Sequence, residues 1–418
     1  MSHVHKRLSD EQVRLVFCSY EHDELTLEAA LVQLGVKRRR FFDLLKAYRS
    51  SSDSFSIQYE RTSTKRLSAK EEKKLTEALA ADKKLIDDRR IPVASYNYAA
   101  IRDRLETKQS ITISHSTILR RAKEQGFYLP KRERAVHDRL VLTNNVGELV
   151  QHDSSHHLFS PYASAKWYLI TSIDDHSRLL LFADLFLRET SWKHIVALRE
   201  VVLANGCALK YYVDQHSIFR FVERRDSEYI RWNTKTDGTT PQWRQTLERC
   251  GVGVTYALSP QAKGKIERPY RWLQDRMVRR CAEEKVEQLE DGRLILKEEV
   301  RRYNERQRHS TTKEIPIVRF ERACKEGRTF FRPHSVPKPQ DPIKDVFCLR
   351  TERIVDAYRN ISLGTLKLTV PKVPPRQTVQ LNIVPDTSEM FAEIRMWHMD
   401  ELVSVQSVKA DLLRGVHF

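Results

Sequence analysis

The sequence contains no paired cysteines at metal-binding spacing. Its six cysteines stand singly along 418 residues, with no CxxC pair and no cysteine–histidine group at the spacing of a zinc site. This usage does not predict a disulfide framework. It predicts reduced thiols, in the core or at the surface of an intracellular protein. The cysteines are Cys18, Cys207, Cys250, Cys281, Cys324 and Cys348.

A long apolar run is also missing, as are a signal peptide and an amphipathic targeting segment. We therefore expect a soluble protein of the cytoplasm, with no membrane partner. A chain of 418 residues is too long for one compact core, so roughly two to four domains are predicted.

Acidic residues are outnumbered by basic ones. The chain has 73 lysines and arginines against 56 aspartates and glutamates, a formal net charge of +17. Such a charge favours contact with phosphate backbones, and it predicts salt-dependent binding. Acidic proteins or membrane surfaces are alternative partners. Because the excess is spread along the chain rather than held in one tail, nucleic acid is the preferred interpretation.

The N-terminal region, residues 1–52, has the pattern of a helix-turn-helix unit. Thr26 is placed to cap a helix from Leu27 to Leu34, Gly35 breaks it, and a basic amphipathic helix follows from Lys37 to Tyr48. A helix, a glycine turn and a basic helix are typical of a DNA reader. The side chains expected to contact DNA are Lys37, Arg38, Arg39 and Arg40.

Residues 65–130 predict a second helical DNA-binding domain, of helix-turn-helix or winged-helix type. Ser68 and Glu71 form a capping-box pattern, a further helix is predicted near 96–106, and a second recognition helix follows Ser114 and ends at Gly126. A basic connector at 130–139 follows. The candidate DNA contacts are Ser114, His115, Thr117, Arg120, Arg121, Lys131 and Arg132.

From residue 145 to 285 the pattern changes to alternating strands and helices, which predicts a mixed sheet with helices on both faces. Strands are predicted at 149–152, 167–173, 179–187, 209–213 and 252–256, and helices at 191–203, 243–249 and after residue 264. A helical and proline-rich connector is expected at 286–342. Short strands at 347–349, 353–355, 365–370, 378–383, 390–396 and 402–405 predict a small β-barrel over 343–410.

Three carboxylates are the candidate catalytic and metal-binding residues. Asp153 and Asp214 lie at or just beyond the ends of predicted strands, and Glu267 lies at the start of a helix. Their oxygens are hard ligands that suit Mg²⁺ or Mn²⁺. Two such ions, about 3.5–4 Å apart, serve phosphodiester chemistry. Taken singly, each carboxylate is more ordinarily a turn cap or a residue favoured by the helix dipole. Their combination on a basic chain favours the metal site.

The helix that carries Glu267 has two distinct faces. Ile266, Tyr270, Leu273 and Met277 predict a buried stripe, and Glu267, Arg271 and Gln274 an exposed one. Because Pro269 is tolerated only in the first turn, the helix is expected to begin near 264–266. Basic residues around this start are placed to meet phosphate. They are Lys263, Lys265, Arg268 and Arg271.

Residues 148–280 resemble the catalytic core of the retroviral-integrase-like DDE transposases, which have a ribonuclease H-like fold. The likeness is carried by the strand with Asp153, the segment Ser172–Arg178, Asp214 after Tyr-Tyr-Val, and above all Ser259–Arg268 (SPQAKGKIER). Tyr303-Asn304 followed by His309 is similar to the tail usually found after this core. The flanking domains resemble those of bacterial insertion-sequence members.

The sequence departs from that family in two places. The step between Asp214 and Glu267 is longer than usual, with an apparent insertion at 220–240, and Gln215-His216 replaces the frequent Asn-Gly. Asp174 and Asp175 are rival ligands. Their position resembles a structural motif that pairs with Arg178, so they are left out of the site. His152, His156 and His157 give no zinc set and are interpreted as structural or substrate-side residues.

The resemblance implies a DNA transposase that binds the ends of its element, cleaves a phosphodiester with metal-activated water and joins the 3′-OH to target DNA. It further implies two Mg²⁺ or Mn²⁺ ions per site, double-stranded DNA as partner, and dimers or larger assemblies associated with the bacterial nucleoid. Two alternatives are a regulator that kept the fold but lost catalysis, and a nuclease acting on RNA–DNA hybrids. The three carboxylates argue against the first, and the two helix-turn-helix candidates against the second.

Overall fold

The computed structural model describes residues 4, 7–51, 55–57, 67–130, 143–214, 216, 218–219, 241–257, 264–336, 338–386 and 390–413, with the backbone alone at 264–268. By its internal contacts the chain divides into two compact units, residues 1–73 and 74–418. The predicted insertion at 220–240 lies outside the described residues.

The first unit contains three helices around an apolar core. Gly35 ends the second helix in the left-handed conformation, φ 57°, and Phe41, Leu44 and Leu45 of the third helix are buried. The last two helices therefore lie where the sequence predicts them, the third displaced by one or two residues. The helices are α1 (Asp10–Glu21), α2 (Leu27–Leu34) and α3 (Arg38–Ser50).

Three further helices precede the central sheet. The predicted capping box is formed, because the Ser68 amide donates to the Glu71 carboxylate at 2.7 Å and the Glu71 amide donates to the Ser68 hydroxyl at 3.3 Å. Ser114 caps the last of these helices by accepting from the Thr117 amide at 3.1 Å. The helices are α4 (Ala69–Asp87), α5 (Tyr98–Gln109) and α6 (His115–Glu124).

The central sheet has five strands in the order β3-β2-β1-β4-β5. β1, β2 and β3 are antiparallel to one another, whereas β4 runs parallel to β1 and to β5. The sheet is therefore mixed, as predicted. Its strands are β1 (Val150–His157), β2 (Trp167–Asp174), β3 (Leu180–Phe186), β4 (Lys210–Val213) and β5 (Gly253–Tyr256).

Alternate residues of a strand project from opposite faces of a sheet, and helices pack on both faces of this one. On one face Trp167 and Leu169 of β2 pack with Leu273, and on the other Ile170 packs with Ala197. The helices of this region are α7 (Ser191–Asn205), α8 (Gln242–Arg249), α9 (Gly264–Glu283), α10 (Leu289–Glu305) and α11 (Pro316–Lys325). α10 and α11 both fall in the segment 286–342, which was predicted to be a helical and proline-rich connector.

The C-terminal strands form two sheets, so the predicted closed β-barrel is wrong for the described residues. Four strands form an antiparallel sheet in the order β11-β10-β9-β6, and β7 and β8 pair only with each other. Alternating burial has the same period in an open sheet and in a barrel, so the sequence did not show which edge strands pair. The strands are β6 (Leu349–Ile354), β7 (Asn360–Leu363), β8 (Leu366–Thr369), β9 (Thr378–Asp386), β10 (Phe391–His398) and β11 (Glu401–Lys409).

Within the described parts of the chain, no helix combines the length and the apolar character needed to cross a membrane.

Candidate active site

Asp153 and Asp214 are positioned by neighbouring strands of the central sheet. Asp153 is the fourth residue of β1, which continues past the predicted strand end, and Asp214 directly follows β4. The two strands run parallel, with Gln151 opposite Tyr212. Continuing this register by two residues brings Asp153 level with Asp214. Residues at one level of paired strands project from the same face, so the register places both aspartates on one face of the sheet.

Helix α9 covers the face of the sheet that carries Asp153. Thr171 of β2 lies opposite Asp153, and its hydroxyl donates to the Tyr270 hydroxyl at 2.9 Å. About one turn further along the helix, the Gln274 amide donates to the Ser155 hydroxyl at 2.7 Å. Asp153 and Ser155 project from the same face because they are two residues apart in one strand. The helix is therefore fixed against the strand that bears the first aspartate.

Glu267 belongs to the first turn of α9, three residues before Tyr270. The helix begins at Gly264, as predicted, and Pro269 lies within its N-terminal part. Tyr270, Leu273 and Met277 are buried, in agreement with the predicted stripe. The side chains of Ile266 and Glu267 lie outside the described part of the structure. The backbone nevertheless places Glu267 about one turn from the tyrosine that contacts β2.

Burial and nearby carboxylates raise the pKa of the Tyr270 hydroxyl. Burial raises the pKa of Tyr270 well above its usual value, and the negative charges of Asp153, Glu189 and Asp214 raise it further. Coulombic interaction of this kind requires proximity. Asp153, Glu189 and Asp214 therefore all lie near enough to Tyr270 to act on it, and one of them, Glu189, was not predicted from the sequence.

Glu189 ends a buried chain of hydrogen bonds on the other face of β1. Its carboxylate accepts from the Ser154 hydroxyl at 2.5 Å and from His194 Nε2 at 2.9 Å. His194 Nδ1 lies 2.8 Å from His152 Nε2, and His152 Nδ1 lies 2.8 Å from the Ser172 hydroxyl. Because a carboxylate only accepts, a consistent assignment has each group donating toward Glu189. His152 is thus a structural residue.

Burial lowers the pKa of His194, although the Glu189 carboxylate opposes that change. For Glu189 itself, burial favours the neutral acid, but the hydrogen bonds from His194 and Ser154 outweigh it and lower its pKa. The network therefore holds an ionised carboxylate beside a neutral imidazole. No sequence pattern marks this pair, because Glu189 and His194 read as ordinary residues around the N-terminus of α7.

We expect Glu189→Gln to reduce the free energy of unfolding at neutral pH by about 1–2 kcal/mol, because a charge-assisted hydrogen bond is replaced by neutral ones. A carboxylate with a depressed pKa stabilises the fold above its ordinary pKa and loses that contribution as pH falls through its folded-state value. The difference from the wild type should therefore shrink in acid. Urea unfolding at several pH values measures it.

The matched control for this prediction is Glu200→Gln, which alters an exposed glutamate of α7 that is paired with Arg199 at 2.9 Å. A change below about 0.5 kcal/mol is expected there. An equal loss in both variants, or a loss in Glu189→Gln that does not vary with pH, would count against the network.

Asp174 and Asp175 take up structural positions, as the sequence analysis proposed. Asp174 accepts from the Gly147 amide at 2.8 Å and from the Ser177 amide at 2.7 Å, and Asp175 pairs with Arg178 at 2.9 Å. Both aspartates are at most 1% exposed. They hold the turn between β2 and β3 and do not face solvent, so they are poor candidates for metal ligands.

The side chains proposed to contact DNA fall into three groups. Lys37, Arg38, Arg39 and Arg40 are exposed at the start of α3. On α6, His115 and Arg120 are exposed, whereas Ser114 and Thr117 share the helix cap and Arg121 pairs with Glu124 at 2.7 Å. Arg271 is exposed on α9. Outside the described residues or side chains lie Lys131, Arg132, Lys263, Lys265 and Arg268.

The donor chemistry of the site fits a hard divalent cation. Asp153 and Asp214 are half buried, and they supply carboxylate oxygens rather than sulfur or imidazole nitrogen. Such oxygens suit Mg²⁺ and Mn²⁺. The carboxylate of Asp214 also accepts from the His216 amide at 2.9 Å, which fixes its orientation at the strand end.

Comparison with known proteins gives two transposases. The protein named "Putative transposase y4bF" of Sinorhizobium fredii is 26% identical over 261 residues, which are 62% of this chain and 52% of that protein. The "Transposase for insertion sequence IS1202" of Streptococcus pneumoniae is 26% identical over 159 residues, 38% of this chain and 32% of that protein. The matches thus span about half of the first relative and about a third of the second. No protein-family model matches the sequence.

Among solved structures, the dimeric form of the HTLV-2 integrase catalytic core domain in complex with magnesium is similar. It shows 13% identity and a TM-score of 0.30, covering 42% of this chain and 96% of that chain. The predicted resemblance to insertion-sequence transposases is confirmed by the two transposase relatives.

Proposed function

We propose that this chain is a DDE-type DNA transposase that cleaves phosphodiesters at the ends of its element and joins them to target DNA. The observation that carries the proposal is the level placement of Asp153 and Asp214 on parallel neighbouring strands, facing the helix whose first turn contains Glu267. The two transposase relatives support it. The ribonuclease H-like assignment of residues 145–285 is part of the same proposal.

Asp153, Asp214 and Glu267 would hold Mg²⁺ or Mn²⁺, two ions per site. When bound, such ions activate the attacking oxygen and stabilise the leaving oxygen of a phosphodiester. The chain's own contribution is to orient the carboxylates. Backbone pairing fixes Asp153 and Asp214, and the Thr171–Tyr270 and Ser155–Gln274 bonds hold α9 in place beside them.

Duplex DNA is the proposed partner, bound through the domains at 1–52 and 65–130. Exposed basic residues at the start of α3 and on α6 support this role, together with the net charge of +17. The connector at 286–342 and the strands at 343–410 would complete the DNA-bound assembly. Self-association into a dimer or higher multimer is proposed with it, since two element ends must be processed together.

The decisive experiment uses the purified full chain and a supercoiled plasmid that carries the coding region with its genomic flanks. We expect nicking that depends on Mg²⁺ or Mn²⁺, stops with EDTA, and maps to the edges of an inverted repeat in those flanks. A plasmid without the flanks is the matched control.

Two outcomes would overturn the proposal. Specific binding of the flanks without any cleavage in Mg²⁺ or Mn²⁺ would make the protein a catalytically inactive DNA-binding regulator. Faster cutting of RNA–DNA hybrids than of duplex DNA would make it a ribonuclease H-like nuclease.

A further inference from the structure

Three soft metal ligands meet away from the carboxylate site. Cys207 follows α7, Cys250 follows α8, and His334 lies in the segment after α11. One ligand atom from each lies within 4.8 Å of the other two, and Cys207 Sγ is 3.7 Å from His334 Nδ1. The two cysteines are 2% and 6% exposed. The sequence shows no metal-binding spacing here, because the three residues are far apart in the chain and only the fold brings them together.

Backbone contacts hold this cluster together without help from a metal. The Cys207 amide donates to the Arg332 carbonyl at 2.8 Å, and the Arg332 amide donates to the Cys207 carbonyl at 3.1 Å. The Arg332 guanidinium also donates to the Cys250 carbonyl at 2.9 Å. A Cβ on Gly206 would clash with the Arg332 carbonyl, so the close approach needs glycine there. The backbone therefore holds the three proposed ligands close together before any metal binds.

We propose that Cys207, Cys250 and His334 form a binding site for Zn²⁺, with a water molecule as the fourth ligand. Zinc bonds of about 2.3 Å to sulfur and about 2.0–2.1 Å to nitrogen place a sulfur and a nitrogen about 3.6 Å apart in a tetrahedral site. The Cys207–His334 separation of 3.7 Å matches that value. Thiolate and imidazole together select zinc over the hard ions that suit the aspartates.

The histidine is already oriented for this role. His334 Nε2 lies 2.8 Å from the Pro342 carbonyl oxygen, which can only accept. Nε2 must therefore carry the proton, and this leaves the lone pair of Nδ1 directed toward Cys207. In metal-ligating histidines, the ring nitrogen that does not bind the metal usually donates a hydrogen bond to a carbonyl oxygen, a carboxylate or water.

One of the two thiols, Cys207, is prepared to lose its proton. The hydrogen bond from Cys250 lowers the pKa of Cys207 to about 6, against the effect of burial and with help from His334. The Cys250 pKa is raised in turn, because its thiol donates that bond and the neighbouring sulfur is negative. Zinc binding displaces the remaining proton. Arg332 adds a positive charge near both sulfurs, which favours thiolates.

The zinc would hold the segment at 331–336 against the ends of α7 and α8. Cys207 precedes β4 and Asp214 follows it, so the two sites lie at opposite ends of that strand. Four strand residues span about 13 Å. The proposed zinc site is therefore separate from the carboxylate site.

The test is the metal content of the full chain, produced without a histidine tag, incubated with zinc and dialysed. Mass spectrometry of the metal should find about one zinc per chain. Cys207→Ser and Cys250→Ser should each lower the content about tenfold or more, since loss of one thiolate leaves two ligands. Cys281→Ser is the matched control, because it removes another fully buried thiol and should leave the content unchanged. Asp214→Asn should also retain the zinc.

A measurement on the wild type tests the proposal even if the variants fail to fold. Cobalt added in place of zinc should give a thiolate-to-metal charge-transfer band and the intense visible bands of a tetrahedral site. The proposal is overturned if the wild type holds no zinc after dialysis, if its cobalt spectrum lacks the thiolate band, or if thiol counting finds a Cys207–Cys250 disulfide. Zinc lost from Asp214→Asn but kept in Cys207→Ser would overturn it as well. None of these readouts depends on DNA cleavage.

Discussion

Replacing Asp153 or Asp214 by asparagine should abolish metal-dependent cleavage and strand transfer while leaving DNA binding intact. Asparagine keeps the size of the side chain but loses the negative charge, and an amide is a far weaker ligand for Mg²⁺ than a carboxylate. Metal ions contribute several kcal/mol of transition-state stabilisation. A loss of about 4 kcal/mol corresponds to about a thousandfold in rate, and we expect at least that. Glu267→Gln should behave in the same way.

The measurement is the rate of plasmid nicking and strand transfer with purified variants, together with gel-shift binding of the flanking DNA. Asp291→Asn is the matched control, because it alters an exposed aspartate in the first turn of α10 and should leave the rate unchanged. Because Asp153 and Asp214 are only half buried, their substitution should not unfold the protein. A variant at 153 or 214 that cleaves at the wild-type rate would contradict the assignment of that residue.

The sequence predicted those parts of the fold and the site that depend on the pattern of residues within one strand or helix. Asp153 and Asp214 stand in or after apolar runs that form neighbouring strands, and burial along Tyr270, Leu273 and Met277 follows from helical spacing. Helix ends at Thr26 and Ser114 were equally predictable, because a cap is a contact over three residues.

What the sequence did not show depends on long-range contacts. Glu189 reaches Ser154 only because the start of α7 lies close to β1, and Cys207, Cys250 and His334 meet only because the chain returns after α11. The prediction of a β-barrel failed for a related reason, since alternating burial along a strand does not specify which edge strands pair. The ion pairs that join α4 and α5 to α9 belong to the same class.

Those ion pairs are buried between α9 and the helices before the central sheet. Arg279 pairs with Asp82 of α4 at 2.7 Å and donates to the Ser95 carbonyl at 2.5 Å. One turn earlier, Arg276 pairs with Asp103 of α5 at 2.7 Å. These four charged residues are at most 5% exposed. The helix whose first turn contains Glu267 is thus held in place by buried charged side chains. Each of these charges depends strongly on its ion-pair partner, because neither is solvated by water.

We expect Arg279→Met to reduce the free energy of unfolding by about 3–5 kcal/mol at neutral pH, because it leaves the Asp82 carboxylate buried without its ion-pair partner. Burial already raises the pKa of Asp82, although Arg279 and Arg104 oppose it. Without Arg279 the pKa rises further, so the folded state binds a proton that the unfolded state releases. Stability then falls as pH rises above the ordinary carboxyl pKa, and the loss should be larger at high pH than in acid.

Urea unfolding of the full chain at several pH values tests this, with two matched variants. Arg244→Met breaks the exposed pair with Glu248 and should cost less than about 1 kcal/mol. The double variant Asp82→Asn/Arg279→Met removes both charges and should recover at least half of the loss, because the penalty comes from one unpaired buried charge rather than from the missing attraction. If the double variant is no more stable than Arg279→Met alone, the loss lies in packing of the arginine stem, and the electrostatic account of how α9 is held is wrong.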